Sequence, residues 1–199
     1  ACLAGALSSL TGLEVLRLVG SGELALEGAE ALAGALTHLT SLQTLDLSHC
    51  GLGSVGAKAL APHLPSALVS LHLGNNSVAD EGMEALAPHL PSGLLYLKLD
   101  TNYLQAKGVE ALARHLPPTL QVLHLSNNWV GEGAEALAPA LNSSLRVLWL
   151  SCCHLKSAGV EALVQHMPPC IEELDMYGNS LDRADKVALA QRAGRAVIL

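Results

Sequence analysis

Leu68-Val69-Ser70-Leu71-His72-Leu73-Gly74-Asn75-Asn76-Ser77-Val78 is the stretch that decides how this chain folds. Leucines stand at its first, fourth and sixth positions, an asparagine at the ninth and an aliphatic residue at the eleventh. The pattern L-x-x-L-x-L-x-x-[N/C]-x-[L/V] also begins at Leu42, Leu94, Leu120, Leu145 and Ile171. From Leu42 onward the intervals are 26, 26, 26, 25 and 26 residues. An earlier copy begins at Leu13, with a one-residue insertion around Gly22 and Ser21 at the ninth position, and Ala196-Val197-Ile198-Leu199 reads as the start of an eighth strand. Self-similarity at a fixed short period is the signature of a solenoid of stacked units.

Each part of the unit has a physical task. Leu45-Asp46-Leu47, Leu71-His72-Leu73 and Leu97-Lys98-Leu99 alternate with period two, which predicts short strands with their leucines turned inward. The ninth position holds Cys50, Asn76, Asn102, Asn128, Cys153 and Asn179. An amide there can satisfy the backbone of a buried turn, and cysteine is a small apolar substitute, so Cys50 and Cys153 read as framework. A helical segment follows. Gly56, Gly82, Gly108, Gly133 and Gly159, with Gly28 before them, form a column where helices can approach closely. Ser54, Asp80 and Ser157 stand two residues earlier and suit helix N-caps. Pro62, Pro88 and Pro139 fall inside the helical segment, which predicts helices that are short or broken and partly 3₁₀ in their later turn.

Composition agrees. Half of the 199 residues are hydrophobic, yet there is no Phe and there are only 2 Trp and 3 Tyr, so the core must be Leu, Ala and Val. A net charge of −7 argues against nucleic acid, whose phosphates need clustered Lys and Arg. No apolar run reaches the roughly 18 residues of a spanning helix, and no signal peptide is visible. The five cysteines, Cys2, Cys50, Cys152, Cys153 and Cys170, are odd in number and contain no C-x-x-C, which favours thiols in a cytoplasmic or other intracellular compartment. Sequons at Asn75 and Asn142 keep secretion as the alternative.

Stretches such as Leu71-His-Leu-Gly-Asn-Asn-Ser-Val-Ala-Asp-Glu-Gly-Met-Glu-Ala-Leu86 resemble the ribonuclease-inhibitor-like class of leucine-rich repeats, over nearly the whole chain. The class includes ribonuclease inhibitor, the Ran GTPase-activating protein and the sensor regions of nucleotide-binding oligomerisation-domain-like receptors. The resemblance implies an α/β fold: a right-handed leucine-rich-repeat solenoid, or horseshoe, with a concave parallel β-sheet and convex short helices. The unit here is two or three residues shorter than is usual in that class. Residues 1–181 then hold about seven repeats, the first preceded by a partial repeat, and 182–199 read as a C-terminal capping helix and short strand. Cys2 to Leu10 match the second half of a helical segment, so further repeats or another domain are expected upstream. Asp182 to Arg195 is polar and carries Arg183, Lys186, Arg192 and Arg195, as a solenoid cap should.

The third, fifth and seventh positions of the pattern turn away from the core onto the concave sheet. Tyr96, Lys98, Asp100, His124, Trp149, Asp175 and Tyr177 occupy them in the later repeats, and Tyr103 and Trp129 fall on the loops just after the strands. All five aromatic residues thus lie in the last four repeats, outside framework positions. Because Trp and Tyr anchor interfaces, these nine residues form the candidate partner-binding site. The plainer alternative is that the loop aromatics merely cover the leucines beneath them.

Other constellations read as structural. His38, His63, His89, His115 and His166 stand in a column near helix ends, where a histidine favours the negative terminus, and no carboxylate or thiol column completes a metal site. Glu30, Glu84, Glu110, Glu135 and Glu161 read as a solvated helix face. No P-loop, G-x-S-x-G or H-E-x-x-H is present. No enzyme, cofactor or metal is therefore expected. The expected function is a protein–protein interaction module, alone or as a scaffold subunit of a larger assembly. The alternatives are the ligand-sensing region of an immune receptor and a GTPase-activating regulator resembling the Ran activator.

Overall fold

A computed structural model describes residues 2–20, 24, 26–193 and 197–198, with the backbone alone for residues 2–4 and 193. The expectations attached to Ser21, Gly22, Arg195 and Ala196, and to the side chain of Cys2, lie outside the described residues. Strands and helices alternate along the chain. The strands are β1 (Val15–Arg17), β2 (Thr44–Asp46), β3 (Ser70–His72), β4 (Tyr96–Lys98), β5 (Val122–His124), β6 (Val147–Trp149), β7 (Glu173–Asp175) and β8 (Val197–Ile198). The helices are α1 (Cys2–Leu7), α2 (Leu26–Leu36), α3 (Gly53–Leu60), α4 (Ala79–Leu86), α5 (Ala106–Arg114), α6 (Gly133–Leu137), α7 (Ser157–His166) and α8 (Arg183–Ala193).

All eight strands form one parallel sheet in sequence order. The register is the one the repeat dictates: Leu45 lies beside Leu71, Leu71 beside Leu97, Leu97 beside Leu123 and Leu123 beside Leu148. These leucines are fully buried. Each contributes about 2 kcal/mol relative to an exposed position, but only because the next layer covers it. Parallel strands need crossovers, the helices supply them, and each helix packs on the next along the outer side. Helices demand more width than strands, so the stack bends into a horseshoe with the sheet on its concave face.

A sharp turn ends each strand from β1 to β7. The eighth position adopts the left-handed region in all seven repeats: Gly20 (φ 66°), His49 (58°), Asn75 (59°), Thr101 (53°), Asn127 (58°), Cys152 (52°) and Gly178 (72°). The turn leaves buried N–H and C=O groups that the ninth position satisfies. The Asn102 side chain accepts hydrogen bonds from the N–H groups of Asn76 (3.1 Å) and Val78 (3.2 Å) and donates to the carbonyls of Leu73 (2.8 Å) and Asp100 (3.1 Å). Asn76 and Asn128 repeat this, and Asn179 serves Cys153 and Leu155 in the same way. Cys50 and Cys153 hold the same place with a thiol, which donates to the carbonyls of Leu18 (2.9 Å) and Leu125 (3.3 Å). Both thiols are buried framework, and burial pushes that of Cys153 up to about 12.

The prolines act as their positions predict. In the units holding Pro62, Pro88 and Pro139 the α-helix stops at Leu60, Leu86 or Leu137 and a 3₁₀ turn follows (Ala61–His63, Ala87–His89 and Ala138–Ala140). α5 and α7, without proline, run nine and ten residues with no such break. The glycine column brings helices together. A Cβ on Gly133 would stand 2.9 Å from Val109 Cβ and 3.0 Å from Ala106 Cα, and one on Gly82 3.1 Å from Ser54 Cα.

The N-cap expectation fails. Ser54 lies inside α3 and Asp80 inside α4, Ser157 is the first residue of α7, and no side chain caps α3, α4 or α7. Asp80 instead reaches the following unit, where its Oδ1 accepts the N–H of Gln105, the residue before α5, at 2.7 Å. Ser157 donates to Asp185 Oδ2 in α8 at 3.0 Å. Successive helix starts are so close that the polar side chain serves its neighbour. β8 extends the sheet beside β7, and Leu189 of α8 is buried against the last layer. Among the described residues, no helix is long and apolar enough to cross a membrane.

Candidate functional site

The concave surface is built by the strand positions that alternate with buried leucines. Lys98, His124, Trp149 and Asp175 are direct neighbours in one row across β4 to β7, about 4.8 Å apart from strand to strand. All four are half-buried. Tyr96 stands in the row before them, and Asp100 and Tyr177 in the row after. Tyr103 and Trp129 occupy equivalent places on the loops that leave β4 and β5, with His154 following them one unit on.

Side chains of adjacent strands are joined in a polar network. The indole N–H of Trp149 donates to Glu173 Oε1 at 2.7 Å, and the His124 ring meets the Trp149 ring edge-on at a centroid distance of 4.6 Å. The Asp100 carboxylate approaches His124 Nδ1 at 3.3 Å and lies over Gly74, where a Cβ would come within 2.7 Å of it. Ser151 donates to Ser126 Oγ at 2.8 Å. Asp175 Oδ1 accepts the N–H of Tyr177 at 2.9 Å. Trp149 is therefore fixed from two sides.

The loop aromatics point outward. Tyr103 is 57% exposed, Trp129 55% and Tyr177 62%, while Leu104 and Val130 beside them in sequence are completely buried. Tyr103 (φ 57°) and His154 (φ 56°) also hold the left-handed region, which bulky side chains rarely adopt. Trp129 and His154 meet edge-to-face at 6.3 Å.

A second cluster lies toward the N-terminal side. Asp46 Oδ2 is 3.5 Å from His72 Nδ1, and Ser70 Oγ is 2.9 Å from His72 Nε2. Burial pushes the Asp46 carboxyl up, but hydrogen bonds from Ser48 and the nearby His72 outweigh it and hold its pKa below the ordinary value. Burial, reinforced by the Lys98 ammonium, depresses the pKa of His72. Burial does the same to His124, assisted by Lys98 and opposed by Asp100 and Asp175. The order serine–histidine–carboxylate has the form of a nucleophile relay, but the backbone donors beside it serve the sheet. Ser70 N–H goes to the Gln43 carbonyl at 2.9 Å and Tyr96 N–H to that of Val69 at 3.1 Å, so neither is aimed at an oxyanion.

Reading the columns of the sequence found the surface but not these pairs. Trp149 with Glu173 and Asp100 with His124 each join different positions of successive repeats, a diagonal that inspection of single columns passes over. Among the described residues no three His, Cys, Asp or Glu side chains gather as a metal set. The helix side carries open grooves, such as one of about 370 Å³ lined by Glu110, Ala113, Arg114, Ala136, Pro139 and Ala140.

Comparison with known proteins agrees with this geometry. A family model described as a leucine-rich repeat matches residues 38–61, 66–87, 117–138 and 141–164. No curated protein matches the sequence. Among solved structures the chain is similar to the leucine-rich repeat-containing protein LegL7 from Legionella pneumophila. The TM-score is 0.64 at 17% identity, over 98% of this chain and 67% of that one. At that identity the likeness concerns the fold.

Proposed function

Because the chain belongs to the leucine-rich-repeat proteins, we propose that it is a protein-interaction module whose partner sits on the concave face and its adjoining loops over β4 to β7. Proteins of this family commonly bind other proteins. The observation that carries the reading is the placement of Tyr103, Trp129 and Tyr177, each more than half exposed, around an anchored Trp149 on a scaffold whose buried core, among the described residues, holds no aromatic side chain. Trp and Tyr are enriched among the residues that anchor protein contacts. Tyr96, Lys98, Asp100, His124 and Asp175 complete the contact surface, and residues 182–199 act as the cap that closes the last layer. The exposed Cys152 thiol suits a reducing compartment. The proposed contact surface holds charged and aromatic groups suited to recognition.

Affinity capture from a native extract tests this, comparing the chain with a Trp149→Ala/Trp129→Ala variant whose fold is verified by circular dichroism. Truncating interface anchors costs about 2 kcal/mol or more each, so the captured partner is expected to fall at least tenfold. Undiminished capture by the folded variant contradicts the proposal.

A further inference from the structure

The charge around the anchored tryptophan says what kind of group it receives. In the last three repeats the concave positions are Val122, His124, Ser126, Val147, Trp149, Ser151, Glu173, Asp175 and Tyr177: two carboxylates, two aromatic rings and no Lys or Arg. Glu173 and Asp175 alternate on one strand, so both carboxylates stand on the concave face about 7 Å apart, beside the Trp149 ring on β6. Asp175 is held from its own strand end by Tyr177 N–H, and Glu173 by the indole. The nearby cations Arg146 and Lys156 are already engaged, by Glu172 and Glu132 respectively. Lys98 stands two strands away from Trp149, about 10 Å, beside His124.

We infer that this acidic, aromatic end of the concave face takes an arginine-bearing segment of the partner protein, with the guanidinium set between the Glu173 and Asp175 carboxylates and against the Trp149 indole. The inference rests on the proposed interaction function and names the chemistry of its partner. A planar guanidinium can donate to both carboxylates while stacking on an aromatic face, which an ammonium does less well. The chain's overall charge of −7 steers a basic segment toward it.

The test uses the full chain and two synthetic probes, nona-arginine and nona-glutamate, followed by calorimetry and by intrinsic fluorescence, since Trp149 and Trp129 are the only tryptophans. Nona-arginine is expected to bind and to change the fluorescence, and nona-glutamate to do neither. Glu173→Gln with Asp175→Asn should weaken nona-arginine at least tenfold. Glu84→Gln with Glu161→Gln removes the same charge from the exposed helix side and should leave binding within twofold. Equal weakening by the two double variants, or equal binding of the two peptides, overturns the inference. Suppose neither peptide disturbs the tryptophans while Trp149→Ala/Trp129→Ala still abolishes capture from extract. The face then binds a protein without an arginine, and this inference alone falls.

Discussion

Tyr103 carries two signs of function in one residue. Its ring is mostly in solvent, and its backbone holds φ 57°, a conformation in which an L-residue is roughly 1–2 kcal/mol worse off than glycine. The equivalent loop position holds Gly51 and Ser77 in earlier repeats, also at positive φ, so the turn itself does not require a large side chain. Tyr103→Gly is therefore expected to raise folding stability, by up to about 1 kcal/mol once the greater freedom of glycine in the unfolded chain is set against the relieved strain. The same variant should lose partner binding. Urea denaturation and a binding isotherm on one preparation check both, and a variant that is less stable and binds normally would sink this reading of Tyr103. At this scale the sequence showed which residues lie on the concave face, because period two separates them from the leucines. It did not show that Trp149 is tied to Glu173 or that Asp100 rests over Gly74, because those contacts depend on where long side chains turn between adjacent layers.

The helices show how closely neighbouring units control one another. Where a glycine faces the preceding helix, its missing side chain sets the layer spacing; where it faces solvent, it is only a weak point. Gly133→Ala would push a Cβ to 2.9 Å from Val109 Cβ and 3.0 Å from Ala106 Cα, so α5 and α6 must separate, at an expected cost of about 1–3 kcal/mol. Gly34 lies within α2 with open space around it, and Gly34→Ala should stabilise by roughly 0.5–1 kcal/mol through helix propensity alone. Thermal melts of the two variants should move in opposite directions, and equal shifts would refute the assignment of the glycine column to packing. The column itself and the proline-induced 3₁₀ turns were legible from spacing, because each follows from the backbone of one unit. The N-caps were not: Asp80 bonds to Gln105 of the next unit, and a polar residue at a helix start does not reveal which of two nearby helix ends it will serve.

As a whole, the molecule is a stack in which every layer depends on the next, so a change in charge on one face is felt as global stability. His72 and His124 are the histidines of the concave face, and both have depressed pKa values in the folded state, chiefly through burial. The unfolded chain then binds protons that the folded chain does not, so stability is full above the ordinary histidine value of about 6.5 and is lost as pH falls below it through the depressed folded values. Urea midpoints should be lower at pH 5.5 than at pH 7.5, and His72→Gln with His124→Gln should flatten the difference; an unchanged slope in that variant would contradict it. The architecture was legible at this scale because the repeat states it seven times, whereas the partner was not, since nothing in a repeat encodes what lies outside it. The claim on which the functional account turns is that a protein covers the concave face from β4 to β7. Hydroxyl-radical footprinting of the chain with and without its captured partner measures this directly. The account predicts that oxidation of Trp149, Trp129, Tyr103 and Tyr177 falls several-fold in the complex while Val55 and His89 on the helix side react as before; protection confined to the helix side, with the four aromatics unchanged, would contradict it.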